Sequence, residues 1–249
     1  MERHLPSPWT GEPFRLLAQR HVEARIEDMW GRVRGLRREG HAPTIEVEGL
    51  EHVRGALARG RGCVVWCMRV GSATVIKRGF RECGLPLVHL SRVQHGSTTT
   101  TRLGTGVVAP IFRRVEDEAL EERVQIPLGE SLAYLRTLED RLAANKCVSI
   151  FGEHPGRQTV AVGILGLPRR FALGAPSIAW RTGAGLVTAY ALRESAYRHR
   201  LVIEEEMPID RTTPRRELAE LAVHRFAQRL EACVLRHPAD WHGWFYADD

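Results

Sequence analysis

The hydrophobic positions of this chain fall into two kinds of segment, helical stripes and short continuous apolar runs. Residues 14–40 (FRLLAQRHVEARIEDMWGRVRGLRREG) carry apolar side chains close to helical spacing, with Arg and Glu between them, which predicts an amphipathic helix. The same spacing predicts further helices at 51–60, 70–84, 131–146, 175–184 and 213–238. Gly, Pro and polar residues separate these segments, so the helices are expected to be distinct elements.

Between the helices lie apolar runs of strand length. CVVWCM at 63–68 and KCVSIFGE at 146–153 are typical of strands buried on both faces. Further strands are predicted at 44–50, 86–92, 160–167, 185–194 and 199–207, and 106–112 is expected to return to the sheet. Because strands alternate with helices without a linker or repeat, we predict one α/β domain over residues 1–249, with a mostly parallel twisted sheet flanked by helices.

The composition indicates where the protein is located but does not identify its binding partner. No apolar stretch approaches the roughly 20 residues that cross a bilayer, and the first residues lack the apolar core of a signal peptide. We therefore expect a cytoplasmic protein, with peripheral contact to an anionic membrane left open. The net charge is +6, and the basic residues are almost all Arg. Codon preference explains this bias, but so does binding of phosphate or carboxylate groups on lipids, RNA or a phosphopantetheine carrier.

The five cysteines do not have the spacing of a metal or redox site. Cys63 and Cys67 lie four residues apart on a predicted strand and so point to the same face, in contrast to a C-x-x-C motif. We predict reduced, buried thiols, a Cys67 that is too inert to accept an acyl group, no metal and no bound cofactor.

Two strand ends are the candidate chemical sites. CMRVGSAT follows one buried strand, and SIFGEHPGR includes the end of another and places Glu153, His154 and Arg157 within five residues. In open α/β sheets, ligands bind outside the carboxyl ends of the strands. A carboxylate beside Arg and a Gly-containing turn can hold a phosphate or orient a hydroxyl, although a structural turn with a surface salt bridge is an equal alternative.

Four segments together resemble a known family. The run VEGLEHVRGALARGRGCVVWCMRVGSATVIKRGFRECGLPLVHLSR, then IFGEHPGR, then VGILGLPRRFALGAPSIAWRTGAGLVTAYALRE and finally HPADWHGWF follow in order over about residues 20–246. They resemble the bacterial lipid A biosynthesis (lauroyl/myristoyl) acyltransferase family of the glycerolipid acyltransferase superfamily. The resemblance implies the fold of that superfamily and the transfer of an acyl group.

The chain departs from this family in two respects. The family usually begins with an apolar membrane-anchoring helix, which we do not expect here. Its catalytic turn is His-x4-Asp/Glu, whereas the same alignment places Arg69 at the His position and Thr74 at the acidic position. That His is a general base, a role that a permanently protonated Arg cannot fill. We predict that substrate-binding residues include Gly71, Ser72, Thr74, Arg102 and Arg157.

Three hypotheses follow from this substitution. In the first, the protein moves an acyl group from acyl-CoA, an acyl-carrier protein or aminoacyl-tRNA to a small amine or hydroxylamine in specialised metabolism, and Arg69 binds phosphate or stabilises the oxyanion. In the second, His95 or His154 has been recruited as the base, with Glu153 orienting it. In the third, the site is inactive and the fold binds an acyl chain, an anionic lipid or a partner protein. The polar run 97–101 is expected to be a mobile loop without a nucleophile.

Overall fold

A seven-stranded sheet forms the centre of the molecule. The computed structural model describes residues 12–35, 43–92, 106, 109–127, 132–153 and 156–245. The sheet has the order β1-β9-β8-β2-β5-β3-β4, and every neighbouring pair is parallel except β8 with β9. Its strands are β1 (Thr44–Glu48), β2 (Cys63–Cys67), β3 (Leu87–Arg92), β4 (Leu120–Ile126), β5 (Cys147–Phe151), β8 (Gly185–Arg193) and β9 (Arg198–Ile203). The predicted α/β class with a mostly parallel sheet is confirmed.

Helices cover both faces of this sheet. They are α1 (Glu12–Gly35), α2 (Leu50–Ala58), α3 (Ala73–Glu82), α4 (Ala109–Asp117), α5 (Ala133–Ala143), α6 (Gly174–Thr182) and α7 (Arg215–Arg236). Two short 3₁₀ helices, Pro238–Asp240 and His242–Phe245, follow α7. No helix in the described ranges combines the length and the apolar character needed to cross a bilayer.

The apolar run of the central strand β2 is continuous because both faces of the strand are covered. All five residues are buried: Val64 and Trp66 pack in one layer, and Cys63, Val65 and Cys67 pack in the layer on the other face. The prediction that Cys63 and Cys67 share a face and are buried is therefore confirmed. Burial raises the pKa of Cys67 to about 12, which keeps the thiol protonated and unreactive.

Three local predictions were incomplete or wrong. Residues 109–112 do not return to the sheet; they begin α4, because Ala109, Phe112 and Glu116 are buried at helical spacing. No strand was predicted at 120–126. These residues form the edge strand β4, where charged residues are tolerated between Leu120 and Val124. The run at 160–167 is divided between β6 (Thr159–Ile164) and β7 (Leu167–Ala172), an antiparallel hairpin outside the main sheet.

Candidate active site

The two predicted turns meet at one edge of the sheet. β2 and β5 are parallel neighbours in register from Cys63 and Cys147 to Cys67 and Phe151, so both chains leave the sheet at the same end. The N–H of Gly152 then donates to the carbonyl of Cys67 at 3.0 Å. This arrangement brings the segment after Cys67 and the segment after Phe151 together at the carboxyl edge, as the sequence predicted.

The turn at 69–74 depends on its small residues for structural reasons. Gly71 has φ +63°, and a Cβ there would lie 1.8 Å from the carbonyl oxygen of Ala191, so only Gly fits between the turn and β8. Ser72 is the N-cap of α3, and its hydroxyl accepts from the N–H of Val75 at 3.4 Å. Thr74 is half-buried in the first turn of α3. Their substrate-binding roles remain predictions.

The carboxylate of Glu153 joins the two turns. Its Oε2 accepts from the backbone N–H of Arg69 at 2.6 Å, and its Oε1 accepts from Nε1 of Trp241 at 2.6 Å. Burial raises the pKa of Glu153, while the two hydrogen bonds and the positive charges of Arg69 and Arg169 oppose that rise. Since each oxygen already has a donor, Glu153 fixes the geometry of the site and is poorly placed to take a proton from a substrate.

Beside Glu153 lies a small cleft that we call the arginine cleft. Its volume is about 30 Å³, and its lining residues are Arg69, Glu153, Arg169, Arg170, Phe171, Trp241 and Gly243. The guanidinium of Arg169 stacks over the indole of Trp241, with its carbon 5.3 Å from the ring centre. Arg170 lies at the exposed rim, where its Nε donates to Thr159 at 3.1 Å. Three arginines and the half-buried Glu153 therefore line the same cleft.

The C-terminal segment 237–245, which we call the strap, closes this side of the site. Trp241 forms an isolated antiparallel bridge with Val70, the N–H of Gly71 donates to the carbonyl of Asp240 at 2.8 Å, and the N–H of His242 donates to the carbonyl of Arg69 at 2.9 Å. The residues of this tail contribute to the family resemblance of the sequence, but no role at the site was predicted for them. The indication was its density of Trp and His in HPADWHGWF.

Helix α1 lies behind the strap. Arg25 donates from Nη1 to Nδ1 of His242 at 3.1 Å, and Nδ1 of His21 lies 2.8 Å from the carbonyl oxygen of Ala239. Burial lowers the pKa of His242 to about 3, and the nearby charge of Arg25 adds to this effect. The ring is therefore neutral near pH 7, but its Nδ1 lone pair is directed at Arg25. His242 is consequently not a free general base despite its position next to Arg69.

Of the remaining predicted site residues, only Arg157 belongs to the part of the chain that the structure describes. His95, Arg102, His154 and the polar run 97–101 lie outside the described residues. Arg157 is described and exposed, just before the β6–β7 hairpin. Within the described part of the chain, no group of three His, Cys, Asp or Glu residues is arranged to hold a metal ion.

A second polar cluster lies under α3, away from the cleft. The Nζ of Lys77 is ion-paired with Glu116 of α4, and Arg123 of β4 donates to the same carboxylate at 2.6 Å. Burial lowers the pKa of Lys77, while the charge of Glu116 opposes this shift. The cluster ties the helix that follows the Arg69 turn to α4 and to the edge of the sheet.

Comparisons with known proteins give one clear similarity. The chain is 27% identical over 210 residues to the phosphatidylinositol mannoside acyltransferase of Mycobacterium tuberculosis strain H37Rv and, at the same identity, to that of strain CDC 1551. Each match covers 79% of this chain but only 57% of the relative, so the chain spans little more than half the length of these relatives. No family model matches the chain.

Among solved structures, one similarity is to the 1-acyl-sn-glycerophosphate acyltransferase PlsC from Thermotoga maritima. It covers 87% of this chain and 80% of that one, with 14% sequence identity and a TM-score of 0.38. A TM-score this low does not establish a shared fold.

Proposed function

We propose that this chain transfers an acyl group from an activated donor to a small nucleophilic acceptor at the Arg69 turn. The observation that supports the proposal is the similarity to a mycobacterial acyltransferase. It covers 79% of the chain and therefore includes both turns, which lie in the central part. The donor would be acyl-CoA, an acyl-carrier protein or aminoacyl-tRNA, each of which carries phosphate groups that suit a basic, Arg-rich surface.

The chemistry of the turn favours an amine or hydroxylamine as acceptor. The acceptor nitrogen would attack the carbonyl carbon of a thioester, the C–S bond would break, and the leaving thiolate would take up the proton that nitrogen loses. A neutral amine attacks without prior deprotonation, so no base is needed at position 69. Arg69 remains protonated and would stabilise the oxyanion that develops on the carbonyl oxygen.

In a second form of this proposal, a histidine from a neighbouring segment acts as the general base. It requires His95 or His154 to reach the acceptor, and Glu153 to orient it. In the described structure Glu153 already accepts from the N–H of Arg69 and from Trp241. A hydroxyl acceptor would favour this form, because a hydroxyl needs a base to become a strong nucleophile.

One observation favours the alternative of a binding protein without catalysis. The strap pairs with the backbone of Arg69, Val70 and Gly71, so the protein's own chain occupies one side of the turn. In that alternative the fold would bind an acyl chain, an anionic lipid or a partner protein and release no product.

Helix α1 supports peripheral contact with an anionic membrane. Its apolar stripe faces solvent: Val22, Ile26, Met29 and Trp30 are exposed, while Leu17 is buried. The helix lies against the strap through His21 and Arg25. A positively charged protein with an exposed apolar helix face suits the surface of an anionic bilayer.

The test is to incubate the protein with acyl thioesters and with panels of amines, hydroxylamines and alcohols, and to identify acylated products by mass spectrometry. The proposal expects acylation of a nitrogen acceptor and a loss of about 10²–10³-fold in kcat for Arg69→Ala, the size expected for one oxyanion donor. Acylation of an alcohol that His95→Ala or His154→Ala abolishes would support the recruited base. Binding of acyl chains without any acylated product would support the binding protein.

A further inference from the structure

The strap forms one of the three walls of the arginine cleft. The first wall, with Arg69 and Glu153, follows directly from the buried strands β2 and β5. The second wall comes from β7, whose Phe171 is 2% exposed and packs in the main core. The third wall consists of Trp241 and Gly243, which follow α7 and lie outside both sheets. Departure of the strap would therefore leave the sheet and the hairpin intact.

With the strap in place, the cleft is too small for the substrates of an acyl transfer. Its volume is about 30 Å³, whereas drug-sized ligands occupy pockets of about 300–1,000 Å³. Because the other two walls are part of the sheet and of a hairpin packed on the core, loss of the strap is the change that would enlarge the cleft.

The strap also occupies backbone groups of the Arg69 turn. The carbonyl of Asp240 accepts from the N–H of Gly71 at 2.8 Å, and the N–H of His242 donates to the carbonyl of Arg69 at 2.9 Å. An extended peptide bound at the edge of a sheet uses the same kind of main-chain hydrogen bonds. A substrate that approaches the turn from this side must therefore compete with the strap for the same surface.

Helix α1 holds the strap from its other side. Nδ1 of His21 lies 2.8 Å from the carbonyl oxygen of Ala239, and Nη1 of Arg25 donates to Nδ1 of His242 at 3.1 Å. The strap is thus held between α1 and the Arg69 turn. Loss of a contact between α1 and the strap should therefore make it easier for the strap to leave the turn.

We propose that the strap is an autoinhibitory lid, which covers the Arg69 turn in this structure and leaves it before the substrates bind. The inference rests on the proposed function, because the substrates that displace the strap are those of the acyl transfer. Trp241 is 2% exposed and would meet solvent when the lid opens, so the closed state is the more stable one without substrate. A lid that is mostly closed lowers the apparent affinity for substrate in proportion to the fraction of molecules that are open.

Hydrogen exchange of single amides in the natural protein tests the lid without requiring catalysis. The amides of Gly71 and His242 bond across the boundary between the turn and the strap. The amide of Gly152 is the reference, because it donates to the carbonyl of Cys67 at the same edge of the sheet without using the strap. We expect the first two amides to exchange with equal protection, and at least about 100-fold faster than Gly152 after correction for intrinsic rates, because local opening suffices.

Arg25→Met removes the donor to His242 but keeps a long side chain on α1. We expect this variant to speed the exchange of Gly71 and His242 about 2- to 10-fold, the effect of losing one hydrogen bond. It should raise kcat/KM for acyl transfer by the same factor, because both quantities follow the open fraction. Arg20→Met is the matched control, since Arg20 is exposed on the same helix, and it should leave both quantities unchanged.

Two results would overturn the lid. If Gly71 and His242 exchange no faster than Gly152, the strap leaves the turn only when the whole protein unfolds. If Arg25→Met speeds exchange but does not raise kcat/KM, the strap positions the site instead of closing it. Local opening of the strap without acyl transfer in any variant would contradict only the proposed function. Acyl transfer by a protein whose strap amides are as protected as Gly152 would contradict only the lid.

Discussion

At the scale of single residues, Trp241 is as important to the candidate site as the residues of the turn itself. Its indole N–H supplies one of the two hydrogen bonds that hold the Glu153 carboxylate, and its ring supports Arg169. Trp241→Phe keeps an aromatic ring but removes the donor. We expect the free energy of unfolding to fall by about 1–3 kcal/mol, because a buried carboxylate loses a partner.

Trp244→Phe is the matched comparison for this change. The indole of Trp244 donates to the carbonyl of Pro238 at 2.7 Å, within the strap itself, so its loss affects no charged group. Its cost should be smaller, about 0.5–1.5 kcal/mol. Urea unfolding of both variants measures the difference, and equal costs would show that the bond from Trp241 to Glu153 contributes no special stability.

The buried polar cluster under α3 gives a second prediction at the scale of single residues. Glu116 is the shared partner of Lys77 and Arg123, and all three side chains are almost fully buried. Glu116→Gln leaves two positive charges in the interior without their common carboxylate, and we expect it to destabilise the protein by about 3–5 kcal/mol. Thermal and urea unfolding measure this loss.

The control for Glu116→Gln is an ion pair at the surface of α3, the helix that carries Lys77. Glu82→Gln removes the exposed partner of Arg78 on α3, which should cost no more than about 1 kcal/mol. If the two Gln variants are equally stable, the buried cluster is not a significant source of stability and its polar character needs another explanation.

At the scale of elements, the strap makes the stability depend on pH in two opposing ways. Burial raises the pKa of Asp240 to about 6, so the folded state holds this proton more tightly than the unfolded state. Its contribution to stability is therefore greatest below about pH 4, the ordinary pKa of Asp, and is lost as the pH rises to about 6. Burial lowers the pKa of His242 to about 3, so stability from that residue is lost as the pH falls from about 6.5 towards 3.

Asp240→Asn should separate these two effects. The variant keeps the backbone carbonyl that accepts from Gly71 but removes the carboxylate. Above about pH 6 we expect the free energy of unfolding of the variant to exceed that of the natural protein, since no buried charge has to form. Between about pH 6 and 4 the stability of the variant should fall more steeply on acidification than that of the natural protein. The loss of stability from His242 is then no longer offset by the gain from protonation of Asp240. Urea unfolding at a series of pH values measures this, and parallel curves for the two proteins would contradict it.

The elements that the sequence predicted best are those that are buried on both faces or along one continuous stripe. The run at 63–67 is apolar throughout because β2 is covered on both faces. In α7, Leu218, Phe226 and Leu230 are buried as their spacing predicts, whereas Leu221, which was predicted to lie on the same stripe, is exposed. The strand β4 was missed because charged residues interrupt its alternation, as is tolerated at the edge that it forms among the described strands. Helix α1 was predicted correctly, but its apolar stripe gave no indication that it would face solvent.

At the scale of the whole molecule, the sequence predicted that the two candidate turns would meet but did not predict which segment packs against them. Two buried runs followed by Gly-containing turns indicate neighbouring parallel strands, and this placed Arg69 and Glu153 at one edge. Trp241 comes from more than 80 residues beyond Glu153, and Arg169 from a hairpin outside the sheet. These contacts depend on how distant segments pack, and periodicity within a single segment contains no information about that packing.

The exposed face of α1 leads to a prediction for the molecule as a whole. Trp30 is 53% exposed, and Val22, Ile26 and Met29 are exposed on the same helix. We expect the protein to sediment with vesicles that contain anionic phospholipid and the fluorescence of Trp30 to shift to shorter wavelength. Ile26→Asn should weaken this partitioning by about 10-fold or more, because burying one large aliphatic side chain contributes about 1.5–3 kcal/mol.

Leu221→Asn is the control for a general loss of hydrophobicity, because Leu221 is also an exposed aliphatic residue but lies on α7. It should leave the partitioning unchanged if α1 is the face that meets the bilayer. Vesicles of zwitterionic lipid alone should bind less protein, since the attraction between a protein of charge +6 and an anionic surface is absent. If both Asn variants bind equally well, or if no vesicle binds the natural protein, the apolar face of α1 is not a membrane contact.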